Sequence, residues 1–110
     1  MEGFVKGEVI VLSFPFTDLS GSKNRPALVL AVLEDDDIIM CQITSKARRD
    51  KYAVQLDPTD FVHGRLNVSS NIRPNKLFTG NKKIVQYKIG SLKMKKIKEV
   101  EETIIRIFKT

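Results

Sequence analysis

Between positions 8 and 43 the chain carries three runs with almost no polar interruption: Glu8 to Phe14, Ala27 to Leu33 and Ile38 to Ile43. Valine, isoleucine and leucine dominate them, and apolar residues do not alternate with polar ones. A short run of that kind reads as a strand covered on both faces. Pro15 ends the first run, and the acidic stretch Glu34-Asp35-Asp36-Asp37 joins the second to the third as a β-hairpin. A chain of 110 residues that opens this way has room for one core, so a single domain over residues 1–110 is expected.

The remainder is less regular. Residues 16–24 are rich in turn formers, and Arg25-Pro26 closes that loop. Proline confines the residue before it to extended backbone, which sets Arg25 at the mouth of the second strand. Tyr52 to Leu56 reads as a short strand, followed by a turn-rich region from Asp57-Pro58 to His63-Gly64. Asn71 to Thr79 reads as an irregular strand broken at Pro74, and Ile84 to Ile89 as a half-buried strand ended by Gly90. From Ser91 the period changes: Met94, Ile97, Val100, Ile104, Ile105 and Phe108 recur at three- and four-residue steps with lysines and glutamates between them. That spacing predicts an amphipathic helix with one face on the core. Strands followed by one helix make a small α+β domain, a curled antiparallel sheet or barrel.

Several classes of chemistry find little support. Cys41 is the one cysteine, so neither an internal disulfide nor a thiol-rich metal site can be built, and its apolar surroundings suit an inert buried thiol. His63 is the one histidine, which leaves no two-histidine mechanism. The four acids at 34–37 are consecutive and lack EF-hand spacing, so no metal site and no cofactor is expected. The first residues carry no basic stretch leading into an apolar one, and no apolar run reaches the ~18 residues of a membrane span. A cytoplasmic protein without membrane contact is therefore expected.

Nineteen Lys and Arg against 13 Asp and Glu give a formal charge of +6. An excess of that size suits a polyanion, either nucleic acid or an acidic protein, and equally a plain solvated surface. Three places at strand ends concentrate donors: Ser22-Lys23-Asn24-Arg25, Thr44-Ser45-Lys46 and Arg73-Pro74-Asn75-Lys76. If the sheet curls so that these ends converge, they form a pocket rich in donors and poor in carboxylates, with the planar fork of Arg25 suited to a phosphate.

The order of these segments resembles the PemK/MazF-type toxins. Gly7-Glu8-Val9-Ile10-Val11, Phe14-Pro15-Phe16-Thr17-Asp18 and Lys23 to Leu30 are similar to the family's opening strand, polar loop and Arg-Pro strand. Gln42-Ile43-Thr44-Ser45 is similar to its Ile/Val-Thr-Ser segment, and Leu77-Phe78-Thr79 and Lys88 to Leu92 to its later strands. The resemblance implies an SH3-like antiparallel β-barrel with a C-terminal amphipathic helix, a homodimer, and cleavage of single-stranded RNA at short sequences. It also implies a cognate antitoxin whose acidic tail covers the RNA groove.

Carried over residue by residue, the resemblance makes Arg25 and Thr44 catalytic; Asp18 is the candidate base because the same polar segment carries it near Arg25. Thr17, Ser22, Lys23, Ser45, Lys46, Arg73, Asn75 and Lys76 are the candidate RNA contacts, and Phe16 is a stacking platform or a core residue. Some members use an arginine and an aspartate two residues apart on the later strand; here those positions hold Arg73 and Asn75, and an asparagine cannot remove a proton. The implied reaction is attack of a ribose 2′-hydroxyl on the adjacent phosphorus, leaving a 2′,3′-cyclic phosphate and a 5′-hydroxyl. Two readings of another class stay open: a toxin of the same fold that acts on a protein such as DNA gyrase, and an SH3-like RNA-binding module without catalysis.

Overall fold

The computed structural model describes residues 3–15, 22–45 and 50–110, and of Phe14, Pro15, Ser22 and Lys23 it describes the backbone alone. Seven strands form one sheet: β1 (Glu8–Pro15), β2 (Ser22–Val32), β3 (Asp37–Thr44), β4 (Val54–Leu56), β5 (Phe61–Gly64), β6 (Ser70–Asn81) and β7 (Val85–Leu92). One helix, α1 (Met94–Phe108), follows. The strand order is β4-β6-β3-β2-β1-β7-β5, and every neighbouring pair is antiparallel. The result is a curled half-barrel with a C-terminal helix, the architecture expected.

The curl follows from where the ladders slip. Register shifts fall between Val9 and Ile10, between Val11 and Leu12, and between Val29 and Ala31, each a place where an extra residue bends its strand. On one face of the sheet Ile10 and Leu12 of β1, Ala27 and Val29 of β2 and Ile38 and Met40 of β3 pack with Phe4. On the opposite face Val9, Leu28, Cys41, Ile43 and Ile72 pack with Ile97 and Val100 of the helix. The first three apolar runs are thus covered on both sides, as their lack of alternation predicts.

Gly7 sets the distance between sheet and helix. It has φ +97°, and a Cβ there would run into the Ile97 side chain of α1. Its amide donates to the Val29 carbonyl at 2.9 Å and its own carbonyl accepts from Leu92 N–H at 2.9 Å, so the backbone is tied on both sides of the contact. At the β2–β3 hairpin Asp35 and Asp36 have φ of 61° and 66°. Two successive positive φ values are what a tight hairpin turn of matching twist needs, and Asp tolerates them better than most residues.

Five local expectations need correction. β2 begins at Ser22, not Ala27, because Ser22 to Asn24 pair in register with Pro15 to Ser13 beyond the end of the core. Phe61 to Gly64, read as turn, is an edge strand. Phe61 is its one buried side chain, so no alternation marks it. β7 runs past Gly90 to Leu92 because Gly90 faces Gly64 across a backbone approach too close for any Cβ. In α1, Ile97, Val100 and Thr103 are buried, whereas Met94, Ile105 and Phe108 are exposed. The break expected at Pro74 is a bulge. Cys41 pairs with Leu77 and Gln42 with Arg73, so Pro74, Asn75 and Lys76 have no partner in β3. A residue without an amide proton fits where the ladder is already interrupted. Among the described residues no helix is long and apolar enough to cross a membrane.

Candidate functional site: a polar face of the sheet

Directly paired residues of neighbouring strands point to one face. Thr44 of β3 pairs with Asn71 of β6, and Asn71 pairs with Gln55 of β4. The β2–β3 ladder ends at Ala27 and Gln42, and Arg25 and Thr44 lie two residues beyond that pair on their strands. Thr44, Asn71 and Gln55 therefore form a row across β3, β6 and β4, and strand alternation puts Arg25 of β2 on the same face. The next row behind it is Ala27, Gln42 and Arg73.

Both rows lie on the Phe4 side of the sheet. Arg25 alternates with Ala27 and Val29, and Thr44 with Gln42 and Met40, whose buried members belong to the core beneath Phe4. Sheet periodicity thus places a guanidinium and a hydroxyl at the rim of an apolar floor. Arg25 is half-buried and Thr44 is buried. An anion held there meets donors from several strands, with less water to screen them than on an open surface.

Arg73 makes a well-covered ion pair at the site. Its Nε donates to Asp50 Oδ2 at 2.9 Å, and the two side chains are 17% and 7% exposed. The Tyr52 N–H donates to Asp50 Oδ1 at 3.0 Å. Burial pushes the Asp50 carboxyl up. The Tyr52 amide, the bond from Arg73 and the charges of Arg73 and Lys76 outweigh it and hold the group below its ordinary value. Asp50 is therefore an ionised, occupied carboxylate and a poor proton acceptor.

Arg25, Thr44 and Arg73, from three separate segments of the sequence, share one face of the sheet. Ser45 follows Thr44 and is exposed; Asn75 and Lys76 are exposed on the bulge beside Arg73. Thr17, Asp18, Phe16 and Lys46 lie outside the described residues, as do the side chains of Ser22 and Lys23. Gln42, Asp50, Gln55 and Asn71 were not among the candidates. Gln42 was legible as the polar residue of an apolar strand two positions before Thr44. Asp50, Gln55 and Asn71 are ordinary polar residues until the register is known.

Two groups fall elsewhere. Cys41 is wholly buried in the helix-side core, and desolvation pushes its thiol up to about 12, so it is a neutral packing residue. His63 sits on the exposed edge strand, where its Nε2 lies 3.1 Å from Ser91 Oγ. No pairing of the two in a cysteine–histidine centre exists. Among the described residues no group of three His, Cys, Asp or Glu could hold a metal ion.

The chain is a compact β-rich domain: a small curled antiparallel sheet with one closing helix and a face that carries a guanidinium and a hydroxyl. Residues 5–108 match the family described as PemK-like, MazF-like toxin of type II toxin-antitoxin system. The chain belongs to that family. No match was found among curated proteins. Among solved structures it is similar to a MazE–MazF complex from Deinococcus radiodurans, with TM-score 0.81 and 18% identity over 100% of this chain and 99% of that one. An endoribonuclease in complex with its cognate antitoxin from a mycobacterial species gives TM-score 0.77 at 12% identity, over 97% and 96% of the two chains. The Mycobacterium tuberculosis toxin MazF-mt6 gives 0.68 at 19%, over 91% and 96%. At these identities the likeness is one of fold.

Proposed function

We propose that this toxin-family chain is a metal-independent endoribonuclease that cuts single-stranded mRNA at short sequences. The observation that carries the reading is the placement of Arg25, Thr44 and Arg73 on one face of the sheet. Arg25 stabilises the charge that develops on the phosphoryl oxygens and supplies the proton to the departing 5′-oxygen through its ordered donors. Thr44 orients the phosphate or the attacking 2′-hydroxyl. Asp18 is the candidate base, on the loop that leads to Arg25. The 2′-hydroxyl loses its proton as it bonds to phosphorus, the bond to the 5′-oxygen breaks, and a 2′,3′-cyclic phosphate and a 5′-hydroxyl remain.

Thr17, Ser22, Lys23, Ser45, Lys46, Arg73, Asn75 and Lys76 hold the RNA strand on either side of that phosphate. Contacts of this kind make affinity fall with salt. The chain acts in the cytoplasm as a homodimer and is neutralised by a cognate antitoxin with an acidic tail, which the formal charge of +6 would attract. Solved relatives that carry an antitoxin support that partner.

The test is incubation of the purified protein with a long single-stranded RNA in EDTA, beside Arg25→Ala, followed by mapping of the cut ends. Discrete cuts that need Arg25 and leave 5′-hydroxyl ends support the reading. Arg25→Ala cutting at the normal rate would refute the site assignment. Asn75, where some relatives carry an aspartate, favours one other reading. Intact RNA alongside growth arrest would move the target to a protein such as DNA gyrase, and intact RNA without toxicity would leave a binding module.

A further inference from the structure

We propose that Asp50 is a positioning residue of this site: it fixes the Arg73 guanidinium as a rigid anion-binding fork beside the Thr44–Asn71 pair. The inference rests on the ribonuclease reading and extends it to a residue outside every motif of the sequence.

Position 75, two residues beyond Arg73, is an exposed asparagine on a bulge. The carboxylate that stands beside Arg73 comes instead from Asp50, 23 positions earlier in the chain. It is held from both ends. The Tyr52 N–H donates to one oxygen at 3.0 Å, and the Asp50 carbonyl accepts from Ala53 N–H at 3.1 Å, closing a tight turn. The other carboxylate oxygen is directed at Arg73.

The atom chosen on Arg73 matters. The Nε–H lies in the plane of the guanidinium, so a bond there fixes the orientation of the whole planar group. It also leaves the two Nη nitrogens, the pair that suits a phosphate bidentately, outside the Asp50 contact. Arg73 pairs with Gln42 and sits two residues along β6 from Asn71, the partner of Thr44. The fork therefore belongs to the same face as Thr44, one row back. A long side chain left to itself has rotamers to lose on binding; the brace removes that loss in advance.

The test is a double-mutant cycle in the full chain: wild type, Asp50→Asn, Arg73→Gln and the double variant, assayed for RNA cleavage and for thermal stability. Asn keeps the acceptor for Tyr52 and loses the anion, so the turn is disturbed least. Asp50→Asn should lower kcat/KM roughly 10- to 100-fold, with most of the loss in kcat. The double variant should cut no slower than Arg73→Gln alone, because Asp50 acts through Arg73. Asp50→Glu should recover part of the activity, and Arg73→Lys, which keeps charge but has no Nε, should not. Asp50→Asn cutting at the wild-type rate with a lowered melting temperature would make the pair structural only, and losses that multiply in the double variant would make the residues independent. Either overturns the proposal. If the wild type itself cuts no RNA, the ribonuclease reading fails and takes this inference with it.

Discussion

Asp50 Oδ2 and Arg73 Nε lie 2.9 Å apart, and the Asp50 side chain is only 7% exposed. A bond between partners this well covered acts on stability as well as on any ligand, and its pH dependence has a definite sign. The folded carboxyl sits below its ordinary value of 3.8, so the stability it contributes is full above that value and is lost as the pH falls through the folded one. Asp50→Asn should cost about 1–3 kcal/mol at neutral pH. Denaturant melts of the two proteins should converge in acid, once the pH lies below the folded value of the Asp50 carboxyl. A gap that persists there would assign the cost to something other than the charge.

Gly7 touches the helix where no side chain fits. Gly7→Ala should lower stability by roughly 2–4 kcal/mol, from the positive φ and from the collision with Ile97 together. Ile97→Val removes the Cδ1 that the new methyl would meet. The Gly7→Ala penalty, measured by chemical denaturation, should therefore be smaller in the Ile97→Val background. Equal penalties in the two backgrounds would show that backbone strain alone is responsible.

The hairpin turn offers a gain. Asp36 has φ 66°, and its contact with Lys82 at 3.2 Å joins side chains 58% and 37% exposed, a pair worth little. Asp36→Gly relieves the strain and should raise stability by about 0.5–1 kcal/mol, net of the extra freedom glycine has when unfolded. A lower melting temperature would mean that the Lys82 contact is worth more than its exposure suggests.

For RNA binding, Lys76 offers a cation on the bulge, close enough to Asp50 to lower that carboxyl. If it contacts a phosphate, Lys76→Ala should weaken binding to all single-stranded sequences alike. It should also reduce the slope of log affinity against log salt by about 0.7. Fluorescence titrations at several salt concentrations read this directly. An unchanged slope would remove Lys76 from the phosphate contacts.

The parts of this fold legible in the sequence were those whose burial is one-sided or complete over several residues. β1, β2 and β3 announce themselves because both faces are covered, and the helix because one face is. β5 was missed because a four-residue edge strand with a single buried side chain leaves no period to read. The site divided in the same way. Arg25 and Thr44 could be picked out by the motifs around them, whereas Asn71 and Asp50 acquire meaning through register and through a contact 23 residues apart in the chain. Local sequence does not encode which strand a polar residue will face.

The bulge at Pro74–Lys76 has a consequence for how molecules of this protein behave in a crowd. On its outer side β6 pairs with β4 only from Ser70 to Ile72, so among the described residues the rest of that side has no strand partner. A long straight border of that kind invites another chain to add itself and begin a polymer. Here the border is interrupted within two residues of the last β4 pair. The proline has no amide proton to offer, and Asn75 and Lys76 are displaced from the ladder with a charge beside them. An intruding strand would meet a kink and a lysine directly beyond the last β4 pair, where it needs a straight run of donors and acceptors.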